Sequence, residues 1–313
     1  MVTSATLSPV LTRLIAAAGS LFAISLVVFF LLHVIPGDPV EAMLGEQAGT
    51  ADREVLRRAL GLDVPWPTQL LDYYRDLAHF DLGVSLYSQE PIASLLIDRL
   101  PYTVGLALMA MLFALVIAVP LGALSALYRG SLFARGVTVF AMVGTAIPNF
   151  VLGPIFIVIF AVILGWAPIG GAEVWNGVVL PALSLSIGLS AVISQQLSAA
   201  LTMIYREDYV RAAYARGLDR LQVLLRHALR NAALPVTTTL GLQLGALFGG
   251  AVITETVFAW PGLGALTVEA IERRDYPVVQ GCVLCISVSY VLINMLTDGV
   301  YAWCDPRIRK MSR

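Results

Sequence analysis

Apolar residues fall in six long runs, at about 10–35, 102–127, 137–165, 178–204, 234–258 and 280–303. A helix needs roughly 20 such residues to cross the hydrocarbon core of a bilayer, and each run is long enough. The pattern predicts six membrane-spanning helices. The first run, Val10 to Ile35, is too long for a signal-peptide core and lacks a small-residue cleavage site, so it reads as a retained span. Between the first two runs lies a polar stretch, Pro36 to Leu100. It holds a turn signal, Pro36-Gly37-Asp38-Pro39, and amphipathic pieces at Asp52 to Leu60 and Gln69 to Leu77. Aromatics and leucines alternate with its charges, which predicts a folded segment rather than a disordered one.

Composition agrees. Hydrophobic residues make up 58% of the 313 and charged residues 13%, against about 25% charged in ordinary soluble domains. A water-soluble globule of this size would have a surface badly depleted of charge, whereas a lipid-facing surface removes that difficulty. The positive charges then set the orientation. With the N-terminus in the cytoplasm, thirteen of the 20 basic residues fall in cytoplasmic segments: Arg13, Arg129, Arg135, Arg206, Arg211, Arg216, Arg220, Arg226, Arg230, Arg307, Arg309, Lys310 and Arg313. Most of the rest lie in the long first loop, where the positive-inside bias counts least. Six spans place the C-terminus in the cytoplasm as well. The predicted division is 1–35 as N-terminus and first span, 36–100 as an extracytoplasmic segment, 101–303 as a five-helix core with a cytoplasmic loop at 205–233, and 304–313 as a cytoplasmic tail.

Pro120, Pro148, Pro154 and Pro181 interrupt the spans, and Gly241, Gly245 and Gly249 recur at four-residue spacing. The prolines free backbone carbonyls that neighbours must satisfy, and the glycines permit close helix approach. Polar groups within the spans are few. Asn149, Gln195, Gln243 and Glu255 are candidates to line a polar pathway.

Some chemistry is excluded. A P-loop needs a lysine after a glycine-rich turn, and Lys310 is the only lysine and has no such turn before it. Nucleotide hydrolysis by this chain is ruled out, and the chain is not an enzyme. His33, His79 and His227 lie in different segments, so no metal site is expected. Cys282 and Cys285 stand alone in an apolar run and read as small core residues on one helix face. Span centres hold no ionisable residues, which argues against a proton- or sodium-coupled carrier.

The loop between the fourth and fifth spans is the most informative. It reads Glu207-Asp208-Tyr209-Val210-Arg211-Ala212-Ala213-Tyr214-Ala215-Arg216-Gly217-Leu218 and continues to Leu234-Pro235. Acids at the front, alanines in the middle and a glycine stop predict a short helix. Such a helix suits packing into a groove on another protein.

Here the sequence resembles a family. Arg211-Ala212-Ala213, Gly217 and Pro235 look like the Glu-Ala-Ala coupling loop of ABC importer permeases, with Arg in the leading place as is common in the peptide/nickel branch. Pro36-Gly37-Asp38-Pro39, Leu60-Gly61-Leu62-Asp63, Asp81-Leu82-Gly83, Phe258-Ala259-Trp260-Pro261-Gly262-Leu263-Gly264, Arg274-Asp275-Tyr276-Pro277-Val278 and Asp305-Pro306-Arg307-Ile308-Arg309 match that branch in order. The likeness is to the first permease subunit of dipeptide, oligopeptide, glutathione and nickel importers. It implies an all-α type I permease fold in the bacterial inner membrane, in contact with lipid and not with nucleic acid. It implies a second homologous permease, two ATP-binding subunits that hold ATP and Mg, and an extracytoplasmic binding protein; this chain itself takes no cofactor. Asp208, Tyr209, Arg211, Ala212, Ala213, Arg216, Gly217, Leu218 and Pro235 would couple it to the ATPase. Peptides are the first expectation for cargo and nickel or a metal–chelate complex the second. The rival from another class is a stand-alone secondary carrier or channel.

Overall fold

The structure, a computed structural model, describes residues 9–34, 40, 44, 49–59, 63–172, 174 and 176–304. The Pro36–Pro39 motif, residues 60–62 and the tail from Asp305 lie outside the described residues. The helices in chain order are α1 (Pro9–Val34), α2 (Thr50–Ala59), α3 (Trp66–Ala78), α4 (Ile92–Leu127), α5 (Leu132–Ala146), α6 (Asn149–Ile163), α7 (Val179–Ile204), α8 (Asp208–Ala215), α9 (Arg220–Val257), α10 (Leu263–Glu272) and α11 (Tyr276–Cys304). Four of them, α4, α7, α9 and α11, are each long and apolar enough to cross a membrane, and α5 with α6 makes a fifth if the bent pair is one span. The first expected span falls on α1, whose described apolar stretch is Leu14–Phe30.

Three expected boundaries need correcting. The third run is not one straight span: α5 and α6 meet at 101°. Pro148 forbids the α conformation at Ile147, which is extended at φ −85°, ψ 118°. The helix that carries the second apolar run begins at Ile92, ahead of the run itself at 102. Asp98 and Arg99 do not stop the helix because its Ile92–Leu96 face is buried, with Arg99 half-buried along that same face and only Asp98 turned away from it. The fifth begins at Arg220, so Pro235 lies inside α9 and not at its start.

The chain forms two compact units, one of Met1–Tyr102 with Pro261–Ser289 and one of Thr103–Trp260 with Tyr290–Arg313. In the second, α7 is central and packs on α5, α6 and α9. Its buried face alternates leucines with Ser184, Ser186, Ser190 and Ser194. Each serine hydroxyl donates to a carbonyl three residues back, at 2.8–3.0 Å. The stripe is thus small and satisfied within its own helix, which lets neighbours come close without an unpaired polar group in the interior. Gly122 and Gly144 use that space: a Cβ at Gly122 would sit 2.7 Å from the Ser194 carbonyl oxygen, and one at Gly144 2.9 Å from the Ala191 Cβ.

In the first unit, Ile92, Leu96, Leu263, Leu266, Ala270, Val278, Val279 and Cys282 form one apolar cluster. Cys282 is buried and Cys285 packs against the same cluster, as expected for core residues. The stretch between the first two spans is tied to α1 by aromatic rings. Phe22 stacks on Tyr74 at 5.2 Å and Phe30 meets Trp66 at 5.6 Å. The Ser25 and Tyr74 hydroxyls are 3.0 Å apart. Since Trp66 precedes Tyr74 while Phe30 follows Phe22, α3 runs antiparallel along α1.

The glycine stripe on α9 is not uniform. A Cβ at Gly241 would lie 1.9 Å from Thr297 Cγ2 and one at Gly245 2.7 Å from the Tyr290 ring, whereas Gly249 has nothing within 4 Å. Gly241→Ala is therefore expected to destabilise the α9–α11 contact by about 1–3 kcal/mol, seen as a lower unfolding temperature of the detergent-solubilised chain. Gly249→Ala should leave the transition in place, and equal transitions for both would show that α9 and α11 do not meet at Gly241.

Candidate functional site

The loop between α7 and α9 folds as a helical hairpin. Helix α8 opens with Asp208 in its first turn, where a negative charge is favoured by the helix dipole. It ends because Gly217 takes φ +86°. The Gly217 N–H donates to the Tyr214 carbonyl at 2.9 Å and the Leu218 N–H reaches the Ala213 carbonyl at 3.3 Å. This is the glycine-terminated cap in which the following apolar residue folds back on the helix. Leu218 does so, packing against Val210, Ala213 and Val223 together with Ile204 and Tyr205. The next helix starts one residue later. Asp219 accepts the Gln222 N–H at 2.6 Å, and the Gln222 side chain accepts the Asp219 N–H at 3.3 Å. That Asp-x-x-Gln capping box was present in the sequence as a signal and belongs with the loop residues.

The hairpin sorts the predicted coupling residues onto two faces. Val210 and Ala213 are buried against the chain's own α9. Asp208, Arg211, Ala212, Ala215 and Arg216 are exposed. Arg211 and Asp208 approach at 3.4 Å, both far in solvent, so their attraction is worth little. Tyr209 is bound to α9 from the side: Asn231 Nδ2 donates to its hydroxyl at 2.8 Å and to the His227 carbonyl at 3.0 Å. Asn231 was not singled out in the sequence, where it is 22 residues away. Tyr205 was also missed. Its hydroxyl is buried with no hydrogen-bond partner among the described residues. Burial, with Tyr214 beside it, pushes its pKa up to about 12, so the phenol stays neutral. Within α9 the turns at Leu224–Ala228 widen to π geometry, and His227, whose carbonyl Asn231 reaches, lies within them.

The candidate pathway residues do not behave alike. Gln195 is exposed, and Asn149 and Gln243 are half-buried. The Asn149 side-chain oxygen faces Gly188 of α7 at 3.5 Å from where a Cβ would stand. Glu255 is fully buried and accepts the Thr103 hydroxyl at 2.7 Å. It is an interior tie between α4 and α9. Just beyond it, Ala259 takes φ +49° and Phe258 is buried. The Phe258 carbonyl accepts the Gly171 N–H at 3.1 Å, with Gly170 so close that any Cβ there would strike that carbonyl.

A family model described as the binding-protein-dependent transport system inner membrane component matches residues 118–310, and the N-terminal model of the same systems matches 6–107. The chain belongs to this permease family. The permease is 38% identical to the glutathione transport system permease protein GsiC of Escherichia coli K12 over 303 residues, 97% of this chain and 99% of that one. The same protein of Shigella dysenteriae serotype 1 matches equally. Among solved structures, a chain of the MetNI methionine ABC transporter superposes with a TM-score of 0.60 at 20% identity, covering 67% of this permease and 96% of that chain. A second crystal form gives 0.56 at 21%. The permease therefore has the type I ABC importer fold, is a multi-pass protein of the bacterial inner membrane, and leaves ATP hydrolysis to separate subunits. Its family works with a partner permease, an ATPase and a binding protein.

Asn231→Ala removes the donor that holds Tyr209, a loss of about 0.5–1.5 kcal/mol. Hydrogen exchange across 208–215 should quicken while that of α7 is unchanged; equal exchange would show that the bond does not hold α8. Tyr205→Phe deletes an unpaired buried hydroxyl and should be neutral or raise the unfolding temperature.

Proposed function

We propose that this permease forms half of a translocation pathway for small peptides, working by alternating access driven from its cytoplasmic hairpin. A second homologous permease would form the other half. Two ATP-binding subunits carrying ATP and Mg would grip α8 and the matching helix of the partner, and an extracytoplasmic binding protein would deliver the cargo. The supporting observation is the two-faced burial of α8: Val210 and Ala213 are fixed to the chain's own hairpin, and the small side chains Ala212 and Ala215 are presented outward between Arg211 and Arg216. An exposed strip of alanine flanked by arginine has room for a groove on another protein and no use in water. Closure of the ATPase pair would move α8, and the Tyr209–Asn231 bond and the Val210–Ala213–Val223 cluster would carry that movement into α9. The cargo reading rests on likeness to glutathione permeases, glutathione being a tripeptide.

Ala212→Trp tests the docking. It sits on the exposed face, so the chain should still insert and assemble its hairpin. Uptake of labelled di- and tripeptides should fall about tenfold or more, together with binding-protein-stimulated ATP hydrolysis, since about 1.4 kcal/mol of docking suffices for that. Undiminished uptake would refute the assignment of α8. Uptake of nickel in place of peptide by the unaltered system would refute the cargo.

A further inference from the structure

Beside the apolar cluster of the first unit lies a cleft of about 190 Å³, lined among others by Tyr87, Glu90, Arg99, Glu269, Arg273 and Asp275. Its rim is the turn that precedes α4, and this turn is held with unusual firmness. Asp275 is buried, and its carboxylate accepts the Ser85 hydroxyl, the Leu86 N–H at 3.1 Å and the Tyr87 N–H at 3.3 Å. The Ser85 oxygen in turn accepts the Ser88 N–H at 2.9 Å, and the Ser85 N–H donates to the Glu90 carbonyl at 2.9 Å. Two non-glycine residues of the rim stand in the left-handed region, Gln89 at φ 60° and Arg274 at φ 56°. Such backbone persists only where its surroundings over-determine it, and it gathers at functional surfaces.

What the clamp presents is an aromatic and two guanidinium groups. Tyr87 is 58% exposed. Arg273 lies 4.5 Å over its ring and pairs with Glu269 at 2.8 Å. Arg99 is half-buried in the same cleft and has no ion-pair partner among the described residues. Rigid backbone bearing Tyr and Arg around a small pocket is the usual make-up of an energetic centre in a protein–protein contact, because pre-ordering lowers the entropy lost on binding. The cleft is smaller than the roughly 300–1,000 Å³ of sites that enclose a small molecule; it suits one side chain. The turn leads directly into α4, a membrane span whose other end at Leu127 runs into Arg129 and Arg135. By the positive-inside bias that end is cytoplasmic, so the turn is extracytoplasmic.

We propose that the Asp275-clamped turn Ser85–Pro91 is a docking point for the extracytoplasmic binding protein, with an acidic side chain of that partner entering the cleft onto Arg99 and its surface closing over Tyr87 and Arg273. The inference rests on the reading of this chain as a binding-protein-dependent importer permease and adds the place of contact and its chemistry. Glu90 at the cleft edge repels acids, so the entering group is steered to the Arg99 side and a donor on the partner satisfies Glu90.

The test uses the full importer, both permeases with the ATPase subunits, in lipid nanodiscs titrated with binding protein. In the unaltered complex ATP hydrolysis should rise with binding protein, and the half-saturating concentration should increase with salt. Arg99→Glu is expected to raise that concentration about tenfold and Tyr87→Ala to raise it about threefold, and Arg99→Gln should flatten the salt dependence. A merely structural Arg99 would not alter the salt slope. Should Arg99→Glu fail to assemble, the near-isosteric Arg99→Gln carries the test alone. Unchanged half-saturation and salt slope in the variants, with stimulation intact in the unaltered complex, would overturn the docking point and leave the importer reading standing. Weakened capture of free peptide by Arg99→Glu without binding protein would make the cleft a cargo site and overturn it too. No stimulation of the unaltered complex would overturn the importer reading and this inference with it.

Discussion

Within a bilayer each backbone N–H and C=O must find its partner inside the protein, and this requirement decides where the chain is free to do anything but continue as helix. The consequences are visible residue by residue. Serines on α7 fold their hydroxyls onto carbonyls three residues back in the same helix. The α5–α6 break falls where Pro148 has no N–H to lose. Where the chain leaves helix between Ala215 and Arg220, the end groups are met by caps: the glycine stop at Gly217 and the Asp219–Gln222 box. A hairpin capped in this way holds its turn by its own backbone and side-chain bonds. It is ready to be gripped.

That readiness separates anchoring from contact. Ala212 and Ala213 are adjacent and chemically identical, yet one is exposed and the other buried. A tool that treats the alanine pair as one motif misses the division of roles. Substituting Ala213 attacks the hairpin itself, whereas Ala212 lies on the exposed face proposed for docking. Gly217 and Leu218 likewise belong to the ending of α8 and the closing of its cluster more than to any outward surface.

Local signals were legible in the sequence. The extents of α1, α7 and α11, the existence of α8 and its glycine stop, and the core role of Cys282 follow from hydropathy, caps and spacing. The failures have physical causes. Charge at Asp98 and Arg99 reads as a span boundary, but a helix ends where its backbone loses partners, not where it meets water, and Ile92 and Leu96 keep α4 going. Long-range ties were invisible: Asn231 to Tyr209, Asp275 to Ser85 across 190 residues, and Thr103 to Glu255 across 152. A single sequence carries no record of which distant polar residues meet. Glu255 shows that gap, since a lone acid near a span end reads as pathway lining while its bond to Thr103 inside this chain leaves no local sign.

The same Glu255 bears on how a push on α8 would travel under the proposed mechanism. It accepts the Thr103 hydroxyl in the interior, so α4 and α9 are joined at that point. At its other end α9 is held to α8 by Asn231 and the Val210 cluster. From Asn231 to Glu255 is a rise of 24 residues along α9, about 36 Å at 1.5 Å per residue. Its only interruptions, the widened turns at Leu224–Ala228 and Pro235, lie close to the hairpin. Both lie in the first 16 residues of α9, and beyond Pro235 the helix continues to Val257 without another π turn or proline.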